Sequence, residues 1–445
     1  MIKRSVNVDF SRKTCKIKPI NCLNNGPKFG LEMQYDFSDQ YKEMKPAFVR
    51  ISSPEAPYSS SRYLDLHCIF PDMALDERFE GSYNFLPTDK YLASIKEVGA
   101  DIFLRLGESR EPYELKKYTR PPRDAAKIAR IFGKIIDHYN KGWANGYKWG
   151  IKYVEIMCDT DTPEGWGGTV EEYYLFYKEV ATYLKEKFPK LKIGAYSSGG
   201  FSGLNHYDSN AREKGYVTFL EEFLRCVGME KTAPLDFLSW KCYADSPEEL
   251  DLHGNYATSY LNQPYFRKTQ SIVTEFCLKD TKDGSYLERN YPSRLARALI
   301  VAQKSDIDMM FLSKLEPYYE YNPVYTLDDG ISKKMYASYH VMTAFSALAS
   351  LGSVVESTAD YRRELYSLAA ANDGMGALVF TTENYSGVIE INLENSEFKK
   401  YNIKGIIGGG DRGAGFFTEE KNLVLRDNTI TLRVGKNEVY FLTFS

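Results

Sequence analysis

The chain has 445 residues, 57 basic and 60 acidic side chains, a formal net charge of -3 and 43% hydrophobic residues. The nearly balanced charge gives no basic excess that would favour nucleic acid as a partner, and no apolar run approaches the roughly 18 residues that a membrane-spanning helix needs. The composition therefore predicts a globular protein with one large domain and a smaller one, and with no nucleic-acid or membrane partner.

Short apolar and aromatic runs alternate with longer segments of helical period along the first three quarters of the chain. This alternation is typical of parallel strands joined by crossover helices. Eight such units predict a (β/α)8 TIM barrel, in which functional groups lie on the loops after the carboxyl ends of the strands. The predicted strands cover residues 29–35, 47–52, 101–107, 153–158, 192–197, 237–243, 271–277 and 309–314.

A doubly wound open sheet is the alternative arrangement of the same elements. Its dinucleotide sites place a Gly-rich loop directly after the first strand. The first predicted strand is followed instead by Tyr35-Asp36-Phe37-Ser38. The barrel is therefore the favoured interpretation.

One predicted helix has clear boundaries. Thr169 precedes it and Glu172 stands three residues later, the spacing of a capping box, in which each side chain binds a free backbone amide of the other residue. Pro189 ends the same helix.

The helical period disappears after about residue 351, where short alternating stretches and turn formers predict a small antiparallel β-sandwich. The alternation at residues 6–10 predicts an amino-terminal strand that joins it. We therefore expect residues 1–20 to pack on the sandwich, residues 21–350 to form the barrel and residues 351–445 to form the β-sandwich domain.

Two carboxylates follow the fourth and seventh predicted strands. Glu275 directly follows the apolar run 271–273, and strand four contains Glu155 and continues to Asp159. Because strand residues alternate in direction, Glu155 lies inside the strand and Asp159 lies beyond its end. A barrel that cleaves glycosidic bonds needs two facing carboxyl groups, one protonated and one ionised. Glu275 and Asp159 form the best-placed pair.

At these residues the chain resembles the family 39 glycoside hydrolases, retaining enzymes that include β-xylosidases and α-L-iduronidases. The resemblance covers most of the chain and implies an exo-glycosidase that works by double displacement with Glu275 as nucleophile. It rests on the order and spacing of Tyr83-Asn84-Phe85, Arg105-Leu106-Gly107-Glu108, Ile136-Asp137-His138-Tyr139-Asn140, Gly142-Trp143, Leu235-Asp236-Phe237-Leu238-Ser239, Thr274-Glu275 and the terminal sandwich.

The chain departs from the family pattern at strand four. The family typically reads Asn-Glu-Pro where this chain has Cys158-Asp159-Thr160, so Asp159 takes the acid/base position and Cys158 replaces a partner of the sugar 2-hydroxyl. The strand-six histidine of the family is also missing near Lys241. Aspartate is one methylene shorter than glutamate, which withdraws the carboxyl by roughly 1.5 Å and lengthens a retaining separation of about 5 to 5.5 Å.

Three interpretations stay open at this point. The first is a retaining enzyme in which Asp159, or a loop residue such as Glu164, is the acid/base. The second is an enzyme with an altered mechanism or substrate. The third is a carbohydrate-binding protein that has lost catalysis.

Several further side chains are candidate sugar contacts because they lie at or beyond predicted strand ends. Each aromatic residue among them could instead be an ordinary core side chain. Glu108 could instead form an ion pair with Arg105 or Arg110. A lysine in the cleft, for example Lys241, would favour an acidic sugar over xylose. The candidates are Cys158, Glu108, His67, Trp240, Lys241, Tyr243, Trp166, Lys314, Glu316 and Tyr318.

The sequence also predicts a compartment and a set of partners. Alternation, and not an apolar signal core, follows the positively charged residues 1–7, and the 7 scattered cysteines form no Cys-x-x-Cys pair. The 5 histidines show no metal-ligand spacing. We expect a cytoplasmic protein with reduced thiols, no cofactor and a carbohydrate as its partner, and the oligomeric state stays open, a homo-oligomer included.

Overall fold

The computed structural model describes residues 4–30, 33–51, 61–111, 114–279, 290–313, 315, 324–328, 332–359, 364–408 and 416–445. The strands in chain order are β1 (Arg4–Lys16), β2 (Cys22–Asn24), β3 (Lys28–Phe29), β4 (Tyr35–Asp36), β5 (Phe48–Arg50), β6 (Asp101–Leu106), β7 (Tyr153–Ile156), β8 (Lys192–Ser198), β9 (Phe237–Ala244), β10 (Gln270–Leu278), β11 (Met309–Leu312), β12 (Tyr325–Asp328), β13 (Ser332–Met335), β14 (Ser353–Thr358), β15 (Leu365–Asn372), β16 (Met375–Thr382), β17 (Gly387–Glu394), β18 (Lys400–Ile407), β19 (Phe416–Val424), β20 (Thr429–Val434) and β21 (Glu438–Phe444).

The helices in the same ranges are α1 (Ser38–Met44), α2 (Ser61–Leu64), α3 (Leu66–Ile69), α4 (Leu86–Glu97), α5 (Ala125–Lys141), α6 (Val170–Lys187), α7 (Ser202–Asn205), α8 (Ala211–Glu230), α9 (Pro247–Leu261), α10 (Tyr291–Lys304) and α11 (Ala337–Ala349). None of these helices combines the length and the apolar character that crossing a membrane requires.

Eight parallel strands close into a barrel in the order β2-β5-β6-β7-β8-β9-β10-β11, with β11 paired back to β2. The predicted (β/α)8 barrel is confirmed. Because all eight strands run in one direction, their carboxyl ends meet at one mouth of the barrel.

The prediction for the first barrel strand is wrong. That strand is β2 and not residues 29–35, where β3 and β4 form a short antiparallel pair instead. Leu23 pairs with Val49 on one side and with Leu312 on the other. A strand of three residues is too short to show a period in the sequence, which is why β2 was not predicted.

The carboxy-terminal region is one curled nine-stranded sheet, ordered β19-β18-β21-β16-β15-β14-β1-β17-β20. The curl encloses a second apolar core that contains Val8, Leu378, Ile391 and Leu442. The β-sandwich and the contribution of the amino-terminal strand are confirmed, since β1 lies between β14 and β17, antiparallel to the first and parallel to the second. Strands β14 and β18 were not predicted.

The capping box at the start of α6 is confirmed. The Glu172 amide donates to Thr169 Oγ1 over 3.2 Å, and the Thr169 amide donates to Glu172 Oε2 over 2.8 Å. Helix α6 ends at Lys187, two residues before Pro189. The loop that leads from β7 to this helix start carries Asp159.

An apolar layer fills the barrel at the amino-terminal ends of its strands. Phe103 has no exposed surface, and its ring centroid lies 5.2 Å from that of Phe237 and 5.1 Å from that of Phe311. Ile272 and Met309 complete the layer. The side chains toward the other end of the barrel are charged, so this layer is the floor beneath the mouth.

We expect Phe103→Ala to lower the free energy of unfolding of the barrel by about 3 to 5 kcal/mol, because the truncation leaves a cavity between packed rings. Denaturant unfolding followed by tryptophan fluorescence would measure the loss. Phe79→Ala is the matched control, since Phe79 is 66% exposed. An equal effect of the two substitutions would contradict the packed floor.

Candidate active site

Lys241 and Glu275 face each other inside the barrel near its mouth. In the pairing of β9 with β10, Val273 lies opposite Trp240 and Glu275 lies opposite Lys241, so Thr274 is an additional residue in β10. Such an irregularity re-aims the residues that follow it. The result places a buried carboxylate beside a buried lysine.

One ammonium group joins the two predicted carboxyl groups. Lys241 Nζ contacts Asp159 Oδ1 and lies 3.3 Å from Glu275 Oε1. All three side chains are buried. Burial lowers the pKa of Lys241, but the charges of Asp159 and Glu275 outweigh it, so the pKa lies above its ordinary value. Lys241 is therefore a cation across the neutral range.

Two more groups bind Glu275. The Tyr243 hydroxyl donates to Oε2, and Arg50 Nη1 lies 3.4 Å from Oε1. Arg50 is fully buried and also binds Glu155 Oε2 at 2.6 Å and Asn24 Oδ1 at 3.3 Å. These contacts fix the orientation of Glu275 from three directions.

Asp159 lies on a strained segment at the end of β7. Its φ is 56° and that of Met157 is 64°, in the left-handed region that residues with side chains seldom adopt. A β-carbon at Gly165 would lie only 2.1 Å from the Asp159 carbonyl oxygen, so glycine is required there. Arg110 Nε lies 3.4 Å from Asp159 Oδ2. Two cations thus contact this carboxyl group.

The positive and negative charges that meet around Glu275 and Asp159 balance. Arg50, Lys241 and Arg110 supply three positive charges, and three carboxylates contact them, those of Glu155, Glu275 and Asp159. Buried charges are tolerated where they are paired in this way.

Asp161 follows two residues later in the same loop. Its Oδ2 accepts hydrogen bonds from Ser198 Oγ at 2.9 Å and from the Gly199 amide at 2.7 Å. Burial raises the pKa of Asp161 to about 7, and the negative charge of Asp159 adds to the rise against those hydrogen bonds. Two neighbouring carboxyl groups therefore differ in environment.

Glu108, which follows β6, and His67, which lies in α3, form a separate pair. His67 Nδ1 lies 2.5 Å from Glu108 Oε1, and the His67 side chain is 48% exposed. Hydrogen bonds to Cys68 and Glu108 raise the pKa of His67. The ion pair of Glu108 with Arg105 or Arg110 is absent from the described contacts, in which Arg105 binds Asp65 at 2.6 Å.

Cys158 is buried between these two groups of residues. Its thiol Sγ lies 4.0 Å from the Ser109 carbonyl oxygen. Burial raises the pKa of this thiol to about 12, despite the nearby positive charges of Arg105 and Arg50. Cys158 is therefore a neutral thiol at physiological pH.

Two of the predicted sugar contacts, Trp240 and Trp166, are buried side chains. Trp240 has no exposed surface, and its indole N–H donates to Ser271 Oγ over 3.0 Å. Trp166 is 3% exposed and stacks on Phe176. Both indoles pack among core side chains, where they have no free face for a ligand. Lys314, Glu316 and Tyr318, also predicted contacts, lie outside the described residues.

Sequence reasoning missed four residues that the structure brings to the predicted carboxylates. Arg50, Asn24 and Arg110 contact them or their partners, and Asp161 lies beside Asp159. The signal for Arg50 was present, since a charge inside the apolar stretch Phe48-Val49-Arg50 must find a buried partner.

Two groups of side chains have donor atoms close enough for one cation, Asp65-His67-Glu108 and His206-Asp245-Glu249, with all donor atoms of each group within 4.8 Å. In the first, Asp65 already accepts from Arg105 and Ser109. In the second, Asp245 and Glu249 are partly occupied by Lys279 and His206. Neither group shows a donor set that calls for a metal.

The chain shares its fold with glycoside hydrolases of known structure. It superposes on a glucosidase from Croceicoccus marinus with a TM-score of 0.79 and 18% identity, over 100% of this chain and 99% of the other. It matches the GH51 α-L-arabinofuranosidase of Thermotoga petrophila with a TM-score of 0.70 and 12% identity over 99% and 100% of the two chains. A monomeric β-xylosidase from Caulobacter crescentus gives 0.68 and 12%, with 99% of each chain covered.

No family model and no curated protein matches the sequence. At identities this low, the likeness to solved structures establishes the fold. That fold is a TIM barrel with a β-sandwich, the architecture of these solved glycosidases.

We expect Lys241→Met to destabilise the protein by about 3 to 5 kcal/mol, because it leaves two buried carboxyl groups without their shared cation. The loss should grow as the pH rises, since the two carboxyls will hold a proton between them at low pH and must give it up at high pH, whereas Lys241 stays charged in the wild type. Unfolding by denaturant at several pH values measures this.

Lys178→Met is the matched control for this substitution. Lys178 pairs with Glu230 at the surface, where an ion pair contributes about 0 to 1 kcal/mol. A difference in the free energy of unfolding between Lys241→Met and the wild type that does not change with pH would contradict the role of the shared ammonium.

Proposed function

We propose that the protein is a glycoside hydrolase, a β-xylosidase-like exo-glycosidase that cleaves its substrate by a retaining double displacement with Glu275 as nucleophile. The observation that carries the proposal is the convergence of Glu275 and Asp159 on one ammonium at the mouth of the barrel. Membership of family 39 belongs to the same proposal and is supported by the motifs around Glu275 and Arg105.

The contacts of Glu275 suit a nucleophile. A nucleophilic carboxylate must be ionised before the sugar binds, and it must be held still for in-line attack on the anomeric carbon. The positive charges of Arg50 and Lys241 stabilise the ionised form, and the Tyr243 hydroxyl donates to the second oxygen. Glu155 does not compete for this role, because it has no exposed surface and binds Arg50.

The spacing of the two carboxyl groups supports retention. One oxygen of each contacts the same nitrogen atom, so those oxygens are closer than the about 6.5 to 9.5 Å at which an inverting pair holds a water molecule. The side chain of Asp159, although shorter than that of a glutamate, still reaches Lys241.

Asp159 stands at the acid/base position of the proposed mechanism. One of its oxygens contacts Lys241 and the other contacts Arg110. An ionised carboxylate suits the second step, in which a base takes a proton from the water that cleaves the glycosyl-enzyme ester. Asp159 therefore fits general-base catalysis of that step.

Solved structures with this fold support the substrate class that we propose. The names of the similar structures describe a glucosidase, α-L-arabinofuranosidases and a β-xylosidase. Aryl glycosides of pentoses, hexoses and uronic acids form the corresponding test set. A preference for uronides would indicate that the cations at the mouth take part in substrate binding. A preference for pentosides would support the β-xylosidase-like proposal.

We expect Glu275→Gln to lower turnover of any accepted aryl glycoside by roughly 10⁴-fold or more, since an amide cannot attack the anomeric carbon. Release of the phenol measures the rate. Glu230→Gln, an equal change at an exposed ion pair, serves as the control. Unchanged activity of Glu275→Gln would remove Glu275 from the role.

A fluorosugar with a good leaving group provides the direct test of the same proposal. Such a compound stalls the reaction after the first step, so the wild type should gain the mass of one sugar on the peptide that contains Glu275. Glu275→Gln should gain none. Label on another carboxylate, or no label with any sugar of the set, would refute the proposed nucleophile.

A carbohydrate-binding protein without catalysis is the second candidate. The observation that favours it is the ion pairing of both carboxyl groups, which leaves neither of them an evident proton donor. Sugars that bind the wild type in calorimetric titration, with no hydrolysis of dinitrophenyl glycosides of the same sugars, would establish it.

A further inference from the structure

We propose that Asp161 is the general acid that protonates the leaving group, and that Asp159 is the general base of the second step. This inference rests on the proposed function. It assigns to two residues the acid and base roles that one glutamate usually combines. Three observations support it, namely the partners of Asp159, the attachment of Asp161 to the same strand ends, and the free oxygen of Asp161.

The first observation concerns charge. Asp159 contacts two cations, Lys241 and Arg110. A general acid must present a proton to the leaving group, and both oxygens of Asp159 are engaged by cations, Oδ1 by the ammonium and Oδ2 by the guanidinium. The proton for the leaving group must therefore come from elsewhere in the site.

The second observation concerns position. Ser198 and Gly199, which follow one another at the end of β8, both donate to Asp161 Oδ2. The next residue, Gly200, lies against the backbone of Lys241, where an added β-carbon would come within 2.1 Å of the Lys241 carbonyl oxygen. Asp161 is thus fastened to the end of β8, and the chain that follows this end packs against Lys241 on β9.

The third observation concerns the second oxygen of Asp161. Within the described part of the chain, Oδ1 is buried and accepts no hydrogen bond, although Asp161 as a whole is partly exposed. An unpaired buried oxygen is costly as part of an anion and far less so as a protonated hydroxyl. Oδ1 is thus the atom that carries the proton.

The surroundings of Asp161 support its protonated form at neutral pH. The titratable groups that act on it are Asp159, Lys241, Tyr196 and Tyr216. Burial and the charge of Asp159 raise the pKa of Asp161 to about 7, and Lys241 and the hydrogen bonds act in the opposite direction. Two adjacent carboxyls with opposed environments are the arrangement by which enzymes separate acid from base.

Each of the two proposed steps transfers one proton and exchanges one C–O bond at the anomeric carbon. A carboxylate oxygen of Glu275 attacks the anomeric carbon, the glycosidic C–O bond breaks, and the leaving oxygen takes the proton from Asp161. Water then gives a proton to Asp159 while its oxygen displaces Glu275 from the anomeric carbon. The proton passes from Asp159 to Asp161 through solvent, which restores both groups.

The test compares Asp161→Asn with the wild type on dinitrophenyl and phenyl glycosides of the same sugar. We expect Asp161→Asn to lose about 10²- to 10⁴-fold on the phenyl glycoside, whose leaving group needs a proton, and little on the dinitrophenyl glycoside, which needs none. Asp208→Asn, the same change at an exposed residue of the neighbouring loop, should change neither rate. Equal losses on both substrates would overturn the inference.

The pH profile supplies a second readout. The kcat/KM of the wild type on the phenyl glycoside should fall as the pH rises through about 7, where Asp161 loses its proton. Ser198→Ala removes a hydrogen bond that stabilises the anion, so it should move this fall to higher pH. An unmoved profile in Ser198→Ala would count against Asp161.

Failure of this inference and failure of the proposed function are distinguishable. Fluorosugar labelling of Glu275 needs no acid, and it should proceed in Asp161→Asn as in the wild type. Labelling with unchanged phenyl-glycoside hydrolysis in Asp161→Asn would refute the role of Asp161 alone. No labelling of the wild type would refute the nucleophile itself.

Discussion

The ammonium of Lys241 is the interaction on which the mouth of the barrel depends. It is the one cation in the described residues that contacts both Glu275 and Asp159. Without it, two carboxylates would face each other out of water, with Arg50 beside Glu275 and Arg110 beside Asp159, and removing one partner of a buried ion pair costs several kcal/mol.

The ammonium of Lys241 also relates its neighbours to one another. Asp159, on a backbone with φ of 56°, reaches this ammonium with its short side chain. Cys158 adds a neutral thiol and no charge to the balance. Lys241 and Asp159 thus depend on each other, and Cys158 leaves their pairing unchanged.

The sequence predicted the barrel and the convergence of Glu275 with Asp159, because parallel strands bring their carboxyl ends to one mouth whatever side chains they carry. It did not predict β2, whose three residues show no period, or Asp161, whose environment comes from Ser198 and Gly199 on another strand. Alternation along β9 would have excluded Trp240, since its neighbour Lys241 points into the barrel. The sequence pattern around a single residue does not reveal which distant residues will contact its side chain.

Gly165 marks the backbone of this loop in the sequence. Any other residue there would collide with the Asp159 carbonyl, so the loop accepts glycine at that point whichever acid the strand end presents. A left-handed acidic residue followed six positions later by an obligatory glycine is a backbone signature that does not depend on the side chains of the site. Other chains with this loop can be sought by that signature even where the residues around it differ.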